Sequence, residues 1–494
     1  MIIPAYFLLV VYVTSLGFVL LYCLLQLQLL FFYLKSRFLH KKSIGLKPLG
    51  TDVLPRVTVQ LPIYNERYVV ERLMDNIILL DYPRHLLQIL VLDDSTDDTL
   101  VISRKKVADY REKGYDITLL HRQDRKGYKA GALKEAMPYT KGAFIAIFDA
   151  DFMPRPDFLY RLLPAFSDER LGVVQSRWEH LNRDYSLITM VQALPLNVHF
   201  TVEQSGRYAA GSFLQFNGTA GIWRRTAIED AGGWQEDTLT EDLDLSYRAQ
   251  LKGWHIAFNE AYSAPAELPA DMNGLKSQQF RWMKGGAECA VKLLPRIWHA
   301  KLPLLTKING IGHLMNSTLF LAALIMGIVS VPVAYWLPRY GIQPEWLKLF
   351  QLSMLPLLGI FYVANVLSRV DSDIPFGKRI LRFIALFPLL LMFSQGLSLH
   401  NADAVVQGWR RRKSPFVRTP KYNLLQATDR FQTKSYLAVR LPWTTIGELI
   451  LAMYFLLSAI AGTLLANWAF MVYHTMLAIG FGAVGMYSVA HRGR

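Results

Sequence analysis

The sequence predicts an α/β domain with a mixed, mostly parallel sheet, inserted into an α-helical transmembrane bundle. Three observations predict it. Charge-free runs stand at both ends of the chain: Met1 to Leu34, then Ile308 to Pro338, Leu349 to Ser368, Phe383 to Ala402 and Leu449 to Ala490. Between them, from Val57 to about Gly286, short apolar runs alternate with charged helix-forming stretches. Finally, 52% of the 494 residues are hydrophobic and only 19% are charged, which excludes a disordered chain and a polar scaffold.

Met1 to Leu34 exceeds the apolar stretch of a signal peptide and no small-residue cleavage site follows it, so it is expected to stay as a span. Lys35, Arg37, His40, Lys41 and Lys42 come next, which by the positive-inside rule puts the region up to about residue 300 in the cytoplasm. Were Phe383 to Ala402 a full crossing, the basic stretch Trp409 to Lys421 would lie outside. About 380 to 408 is therefore expected to be interfacial or re-entrant, leaving five spans rather than six and a cytoplasmic carboxyl terminus at His491 to Arg494. The last run is long enough for two spans broken near Asn467. The expected organisation is a first transmembrane helix at 1–34, a cytoplasmic domain at 35–300 with interfacial helices towards its end, two transmembrane helices at 301–370, an interfacial helix and a loop at 371–445, and two transmembrane helices at 446–494. This describes a multi-pass protein of a plasma membrane, such as a bacterial inner membrane. The net charge of +15 then serves orientation and contact with anionic lipid rather than nucleic acid. Two cysteines, Cys23 and Cys289, supply neither a disulfide framework nor a thiolate metal cage.

Within the domain the elements follow in order. Arg56 to Ile63 predicts a strand, Glu66 to Leu80 a helix, Gln88 to Leu92 a strand, Thr96 to Lys113 a helix, Ile117 to Leu120 a strand, Lys129 to Met137 a helix, and Ala143 to Phe148 a strand. In such sheets the ligand lies at the carboxyl ends of the strands. The residues there are Tyr64, Asn65 and Glu66, then Asp93 and Asp94, then Asp149 and Asp151. No glycine-rich dinucleotide fingerprint and no phosphate-binding P-loop occurs, and bare carboxylates repel diphosphate. A hard divalent cation, Mg²⁺ or Mn²⁺, held between the carboxylates and a substrate diphosphate reverses that repulsion. The acidic rim thus predicts a metal-bridged nucleotide substrate.

The motifs PIYNE (Pro62 to Glu66), LDDSTD (Leu92 to Asp97), DAD (Asp149 to Asp151), FNGTAGIWR (Phe216 to Arg224), TED (Thr240 to Asp242) and QQFRW (Gln278 to Trp282) occur in one order. In this the chain resembles family 2 glycosyltransferases with a GT-A-type domain, among them the processive membrane synthases and most closely the cellulose-synthase-like A and C group of mannan and glucan synthases. The resemblance implies that Asp151 contacts the metal and Asp149 the nucleotide or metal, that Asp94 reads the base with Tyr64 stacked on it, and that Glu66 belongs to the same nucleotide-sugar site. Asp242, with Thr240 and Glu241, resembles the general base that deprotonates the acceptor hydroxyl. A first-turn carboxylate is otherwise just favourable with the helix dipole. Gln278, Arg281 and Trp282 share one helical face by their spacing; the family gives Trp282 an acceptor-stacking role and Gln278 and Arg281 places near the diphosphate. Lys126 and Lys129 offer further phosphate charge, or form an ordinary basic turn. Phe416 to Lys421 resembles a gating loop, with Phe416, Thr419 and Lys421 at its pattern positions and Arg418 replacing a valine.

The implied activity is inverting, metal-dependent transfer of a hexose from UDP-glucose or GDP-mannose to a growing β-linked polysaccharide that leaves through the membrane helices. Two rivals stand beside it. One is a single transfer to a lipid such as ceramide or polyprenyl phosphate. The other is a non-catalytic nucleotide-sugar sensor or exporter, which would place functional charges inside the spans rather than in the domain. Whether a partner subunit assists secretion is left open by the sequence.

Overall fold

In the structure, a computed structural model, residues 2–39, 54–341, 354–368, 370, 372–424, 428–432, 434, 436–437, 440–465 and 467–493 are described. His40, Lys41, Lys42 and the start of the Leu349 to Ser368 run lie outside them.

Seven strands form one sheet: β1 (Val57–Ile63), β2 (Leu87–Asp93), β3 (Asp116–His121), β4 (Phe144–Ile147), β5 (Leu171–His180), β6 (Gly221–Arg224) and β7 (His255–Ala266). Their order is β3-β2-β1-β4-β6-β5-β7. Strands β1 to β4 are mutually parallel and β5 is parallel to β7, while β6 alone runs against its neighbours. The sheet is mixed and mostly parallel, as the alternating pattern predicts. Six of the seven residues of β1 and all seven of β2 are buried, because helices cover both faces and the strands read as continuous apolar runs. On one face Leu61, Val91 and Ala146 pack with Val70, Leu73, Met74 and Ile77 of the Val70–Ile78 helix. Opposite them Ile145, Ile147 and Trp223 pack with Leu133 and Leu245. The carboxyl ends of β1, β2, β4 and β7 open on one edge, which also receives the loop entering β6.

Four helices among the described residues are long and apolar enough to cross a membrane: Pro4–Phe38, Thr318–Tyr335, Trp443–Leu464 and Trp468–Ala490. The last two meet at Asn467, the residue before the second helix. Phe376–Gly396 and Ser398–Trp409 form a pair bent by 48°. The Ile308 to Pro338 run differs from the single span expected of it. It is divided between Leu304–Leu314 and Thr318–Tyr335, because polar residues of its first half bond to the domain: Asn309 Nδ2 donates to Ser212 Oγ at 3.1 Å and His313 Nδ1 lies 2.8 Å from the Tyr247 hydroxyl. The described part of the Leu349 to Ser368 run is a short helix, Met354–Tyr362, continued by one π-helical stretch to Leu367.

The Met272–His299 helix joins the domain to the carboxyl-side helices. Asp271 caps it, accepting from Gly274 N–H at 2.7 Å. Its buried Lys276 meets Glu448 of the Trp443–Leu464 helix at 2.8 Å and donates to Thr445 Oγ1 at 3.1 Å and Ser488 Oγ at 3.3 Å.

Candidate active site

A cavity of about 220 Å³ lies against the carboxyl edge of the sheet. Tyr64, Glu66, Asp94, Asp149, Asp151, Thr240, Glu241, Asp242, Gln278, Arg281, Trp282, Phe416, Thr419 and Lys421 all line it. Residues up to 357 positions apart in the chain are brought together there by the strand ends, two helices and one loop.

Asp149 and Asp151 follow β4. The Asp149 N–H donates to Thr219 Oγ1 at 2.9 Å, which ties this turn to the loop before β6. Lys129 donates to Asp149 Oδ1 at 2.5 Å and to the Gly218 carbonyl at 2.9 Å. Lys421 donates to Asp151 Oδ2 at 2.7 Å and to the Glu267 carbonyl, and the Glu267 N–H reaches the same Asp151 oxygen at 3.1 Å. Each carboxylate of the pair therefore carries an ammonium. Burial would lower the Lys129 pKa, but Asp149, Glu241 and Asp242 outweigh it and hold the lysine protonated.

Among the described residues no three His, Cys, Asp or Glu side chains group as a metal cage. A site of one or two carboxylates completed by diphosphate oxygens is the usual arrangement for Mg²⁺ in nucleotide enzymes. The pair Asp149 and Asp151 fits that donor set, and its attraction for a cation is visible in the lysine already drawn onto Asp151.

Thr240, Glu241 and Asp242 open the Glu241–Leu251 helix. Asp242 Oδ1 accepts from the Leu243 N–H at 2.8 Å, leaving Oδ2 towards Gly218. Burial first, and the adjacent Glu241 carboxylate second, push the Asp242 pKa up to about 7. Burial also raises Glu241. Gly218 has a φ of +79°, and a Cβ there would stand 2.9 Å from Asp242 Oδ2 and 3.4 Å from Lys129 Nζ. Only glycine suits both the left-handed backbone and the space between the two charges.

Phe416, Arg418, Thr419 and Lys421 of the loop from Phe416 to Tyr422 line the cavity. Arg281 holds the loop, donating to the Val417 carbonyl at 2.7 Å and to Thr419 Oγ1 at 2.9 Å, with its guanidinium 4.5 Å from the Phe416 ring centre. Burial lowers the Arg281 pKa to about 10, so it stays charged. The departure at Arg418 acquires a partner: its Nη1 is 2.8 Å from Glu66 Oε2, and the guanidinium stacks 4.0 Å over Tyr436. Burial, opposed by Arg418, sets the Glu66 pKa at about 7. In this arrangement Arg281 and Lys421 are spent on the loop and on Asp151.

Lys126 is not among the lining residues. Gly127 (φ 68°) and Tyr128 (φ 50°) reverse the chain after it, so that Lys129, on the first turn of the Tyr128–Ala136 helix, reaches Asp149 instead. After β2, Asp94 is gripped by Arg122 through two bonds of 2.8 and 2.5 Å. The guanidinium carbon of Arg125 lies 3.2 Å from the ring centre of Tyr64. Arg122, Arg125, Trp178, His180 and Glu267 were not expected from the motifs. Inspecting strand ends finds Arg122, directly after β3, but not Arg125 three residues further on; Trp178 and His180 lie in β5 and Glu267 follows β7, two strands that the motifs do not announce.

The family model described as glycosyltransferase like family 2 matches residues 55–285. Glucomannan 4-beta-mannosyltransferase 1 of Oryza sativa subsp. japonica is 35% identical over 374 residues, covering 73% of this chain and 67% of that protein. Glucomannan 4-beta-mannosyltransferase 9 of Arabidopsis thaliana is 36% identical over 366 residues, covering 73% of this chain and 66% of that protein. The chain thus spans about two thirds of the length of these relatives. Among solved structures, the mannosyltransferase PcManGT from Pyrobaculum calidifontis, in complex with GDP-Man and Mn²⁺, matches with a TM-score of 0.54 and 20% identity over 82% of this chain and 100% of that one. At that identity the likeness speaks for the fold.

Proposed function

Because this chain belongs to the glycosyltransferase-like family 2, we propose that it is an inverting membrane glycosyltransferase that moves mannose from GDP-mannose to the end of a growing β-linked polysaccharide. The observation that carries this reading is the convergence of Asp242, the Asp149 and Asp151 pair, and Trp282 on one cavity. The names of the mannosyltransferase relatives favour mannose as the sugar.

In the mechanism, an acceptor hydroxyl approaches the anomeric carbon from the side opposite the diphosphate. Asp242 takes its proton as the new C–O bond forms and the bond to the diphosphate breaks, so the anomeric configuration inverts and no covalent enzyme intermediate is needed. A carboxylate with a pKa near 7 is matched to that task at neutral pH. Asp151 and Asp149 would hold a divalent cation, Mg²⁺ or Mn²⁺, which when bound supplies positive charge to the departing diphosphate. Lys129 bonds Asp149, and its positive charge also balances the Glu241 and Asp242 carboxylates. Trp282 offers an aromatic face to the acceptor sugar, and the loop from Phe416 to Lys421 excludes water from the donor. The domain faces the cytoplasm, and the product leaves through the helices that cross the membrane.

Asp242→Asn tests this reading. Nucleotide binding should persist while sugar transfer from labelled GDP-mannose falls by roughly 10²- to 10⁴-fold. Transfer by the variant at the rate of the parent would remove Asp242 as the base.

A further inference from the structure

The ring of Tyr64, expected to stack on the nucleobase, is already covered. Arg125 lies flat on it with its guanidinium carbon 3.2 Å from the ring centre, 5.0 Å from that of Tyr128 and 5.4 Å from that of Phe416. Tyr128 and Phe416 are themselves stacked, with centres 5.4 Å apart. Arg125 lines the cavity, and its Nε is buried without an acceptor. Among the described residues the guanidinium has ring faces for neighbours and neither a hydrogen bond nor an ion pair. Its neighbour in sequence, Arg122, is by contrast fully engaged with Asp94 and Glu135. A half-buried arginine with a buried, unpaired Nε and no protein acceptor among the described residues for its other donors, set on the base-stacking ring, has a guanidinium available to a ligand.

We infer that Arg125 is a specificity-determining residue that selects a guanine nucleotide over a uracil one. The inference rests on the reading of this cavity as a nucleotide-sugar site. Its chemistry is that of paired edges. Guanine presents two acceptors, O6 and N7, side by side, which the planar arginine fork meets with two parallel bonds. The adjoining edge of the same base carries the N1–H and N2–H donors, a pair that suits a carboxylate such as that of Asp94, which lines the same cavity. Uracil offers only one N–H flanked by two carbonyls. It can give the arginine a single bond and sets a carbonyl against the carboxylate. Arg125 leaves the face of Tyr64 for the edge of the incoming purine, the base takes its place on the ring, and Tyr128 and Phe416 close the outer side. Through Phe416 the same contact links the base to the loop that Arg281 holds.

The test is equilibrium binding of GDP and of UDP, each with Mn²⁺, to the full-length protein in nanodiscs, comparing the parent with Arg125→Ala and Arg125→Lys. The parent should prefer GDP. Arg125→Ala should weaken GDP by roughly 5- to 150-fold, the value of one bidentate base contact, while UDP moves by less than about twofold. Arg125→Lys keeps the charge and loses the fork, so it should follow the alanine variant; it gives the same reading if alanine impairs folding. Equal weakening of GDP and UDP would assign the guanidinium to the diphosphate and overturn the inference, as would an unchanged preference in both variants. A parent that prefers UDP would also overturn it while leaving a glycosyltransferase site in place. A parent that binds neither nucleotide would sink the nucleotide-sugar reading itself.

Discussion

At the scale of single residues, the cavity is a balance of carboxylates and cations, and under the proposed function Lys421 holds the carboxylate that the metal would take. Lys421 sits on Asp151 at 2.7 Å. Removing its charge frees the carboxylate and takes a positive charge away from an entering cation. Lys421→Met is therefore expected to tighten Mn²⁺ binding in the absence of nucleotide by roughly tenfold or more, read as free Mn²⁺ by electron paramagnetic resonance. Unchanged or weaker binding would show that Lys421 and the cation do not share Asp151. Asp242 carries a prediction of its own. Its raised pKa means that the carboxyl is protonated, and useless as a base, below about pH 7. The profile of kcat/KM should then rise about tenfold per pH unit below that value and level off above it. A profile already flat from pH 5 upward would contradict the assignment. Most of these residues were legible, because Tyr64, Glu66, Asp94, Asp149 and Asp151 stand where strands end, and Asp242 and Trp282 stand in helices with recognisable spacing. Arg125 was not. Nothing in the run His121 to Gly127 distinguishes an arginine on a ring from one in water until the chain reversal at Gly127 is known.

At the scale of elements, the mostly parallel sheet with both faces covered follows from the alternating apolar runs, and the strands and helices predicted up to Phe148 lie within a few residues of those observed, whereas the strand order is seen only in the structure. The helix that carries Gln278, Arg281 and Trp282 is placed by a contact the pattern does not reveal. A Cβ at Gly285 would stand 2.5 Å from Thr240 Cγ2 and 2.9 Å from the Thr240 backbone nitrogen. This glycine lets the helix rest directly on the turn that begins with Thr240. Gly285→Ala gains about 1 kcal/mol of helix propensity, but the overpacking costs about 1–3 kcal/mol and moves Trp282 relative to Asp242. The variant is expected to lose kcat by roughly tenfold or more, with GDP affinity little changed. Parent-like turnover in a steady-state assay would show that the contact is not positional. The loop from Phe416 to Tyr422 illustrates the opposite limit of legibility. Its resemblance to a gating loop is in the sequence, whereas its anchoring by Arg281 joins residues 138 positions apart and depends on where the bent helix pair Phe376–Gly396 and Ser398–Trp409 delivers it.

At the scale of the whole molecule, the domain and the helices beside it form one mechanical unit. Lys276, two residues before Gln278, is buried against Glu448 of a helix that is long and apolar enough to cross a membrane. A buried pair of this kind fixes one register of the Met272–His299 helix against the carboxyl-side helices. Lys276→Met leaves the Glu448 carboxylate unmatched and should cost about 3–5 kcal/mol of stability. Combining it with Glu448→Leu should restore most of that loss, as measured by thermal unfolding in nanodiscs. A double variant as unstable as the single one would mean that the pair is not the source of the loss. Neither partner was singled out from the sequence, because a lysine in a polar helix and a glutamate at the edge of an apolar run are each ordinary until the two helices are packed.

The central claim is polymer synthesis from a guanine nucleotide sugar, and the most direct measurement offers the purified protein in nanodiscs labelled GDP-mannose and labelled UDP-glucose separately, with Mn²⁺, and sizes the product before and after linkage-specific hydrolases. A long chain built from GDP-mannose and cut by a β-mannanase is the expected result. A single labelled lipid, or nucleotide release with no polymer, would contradict it.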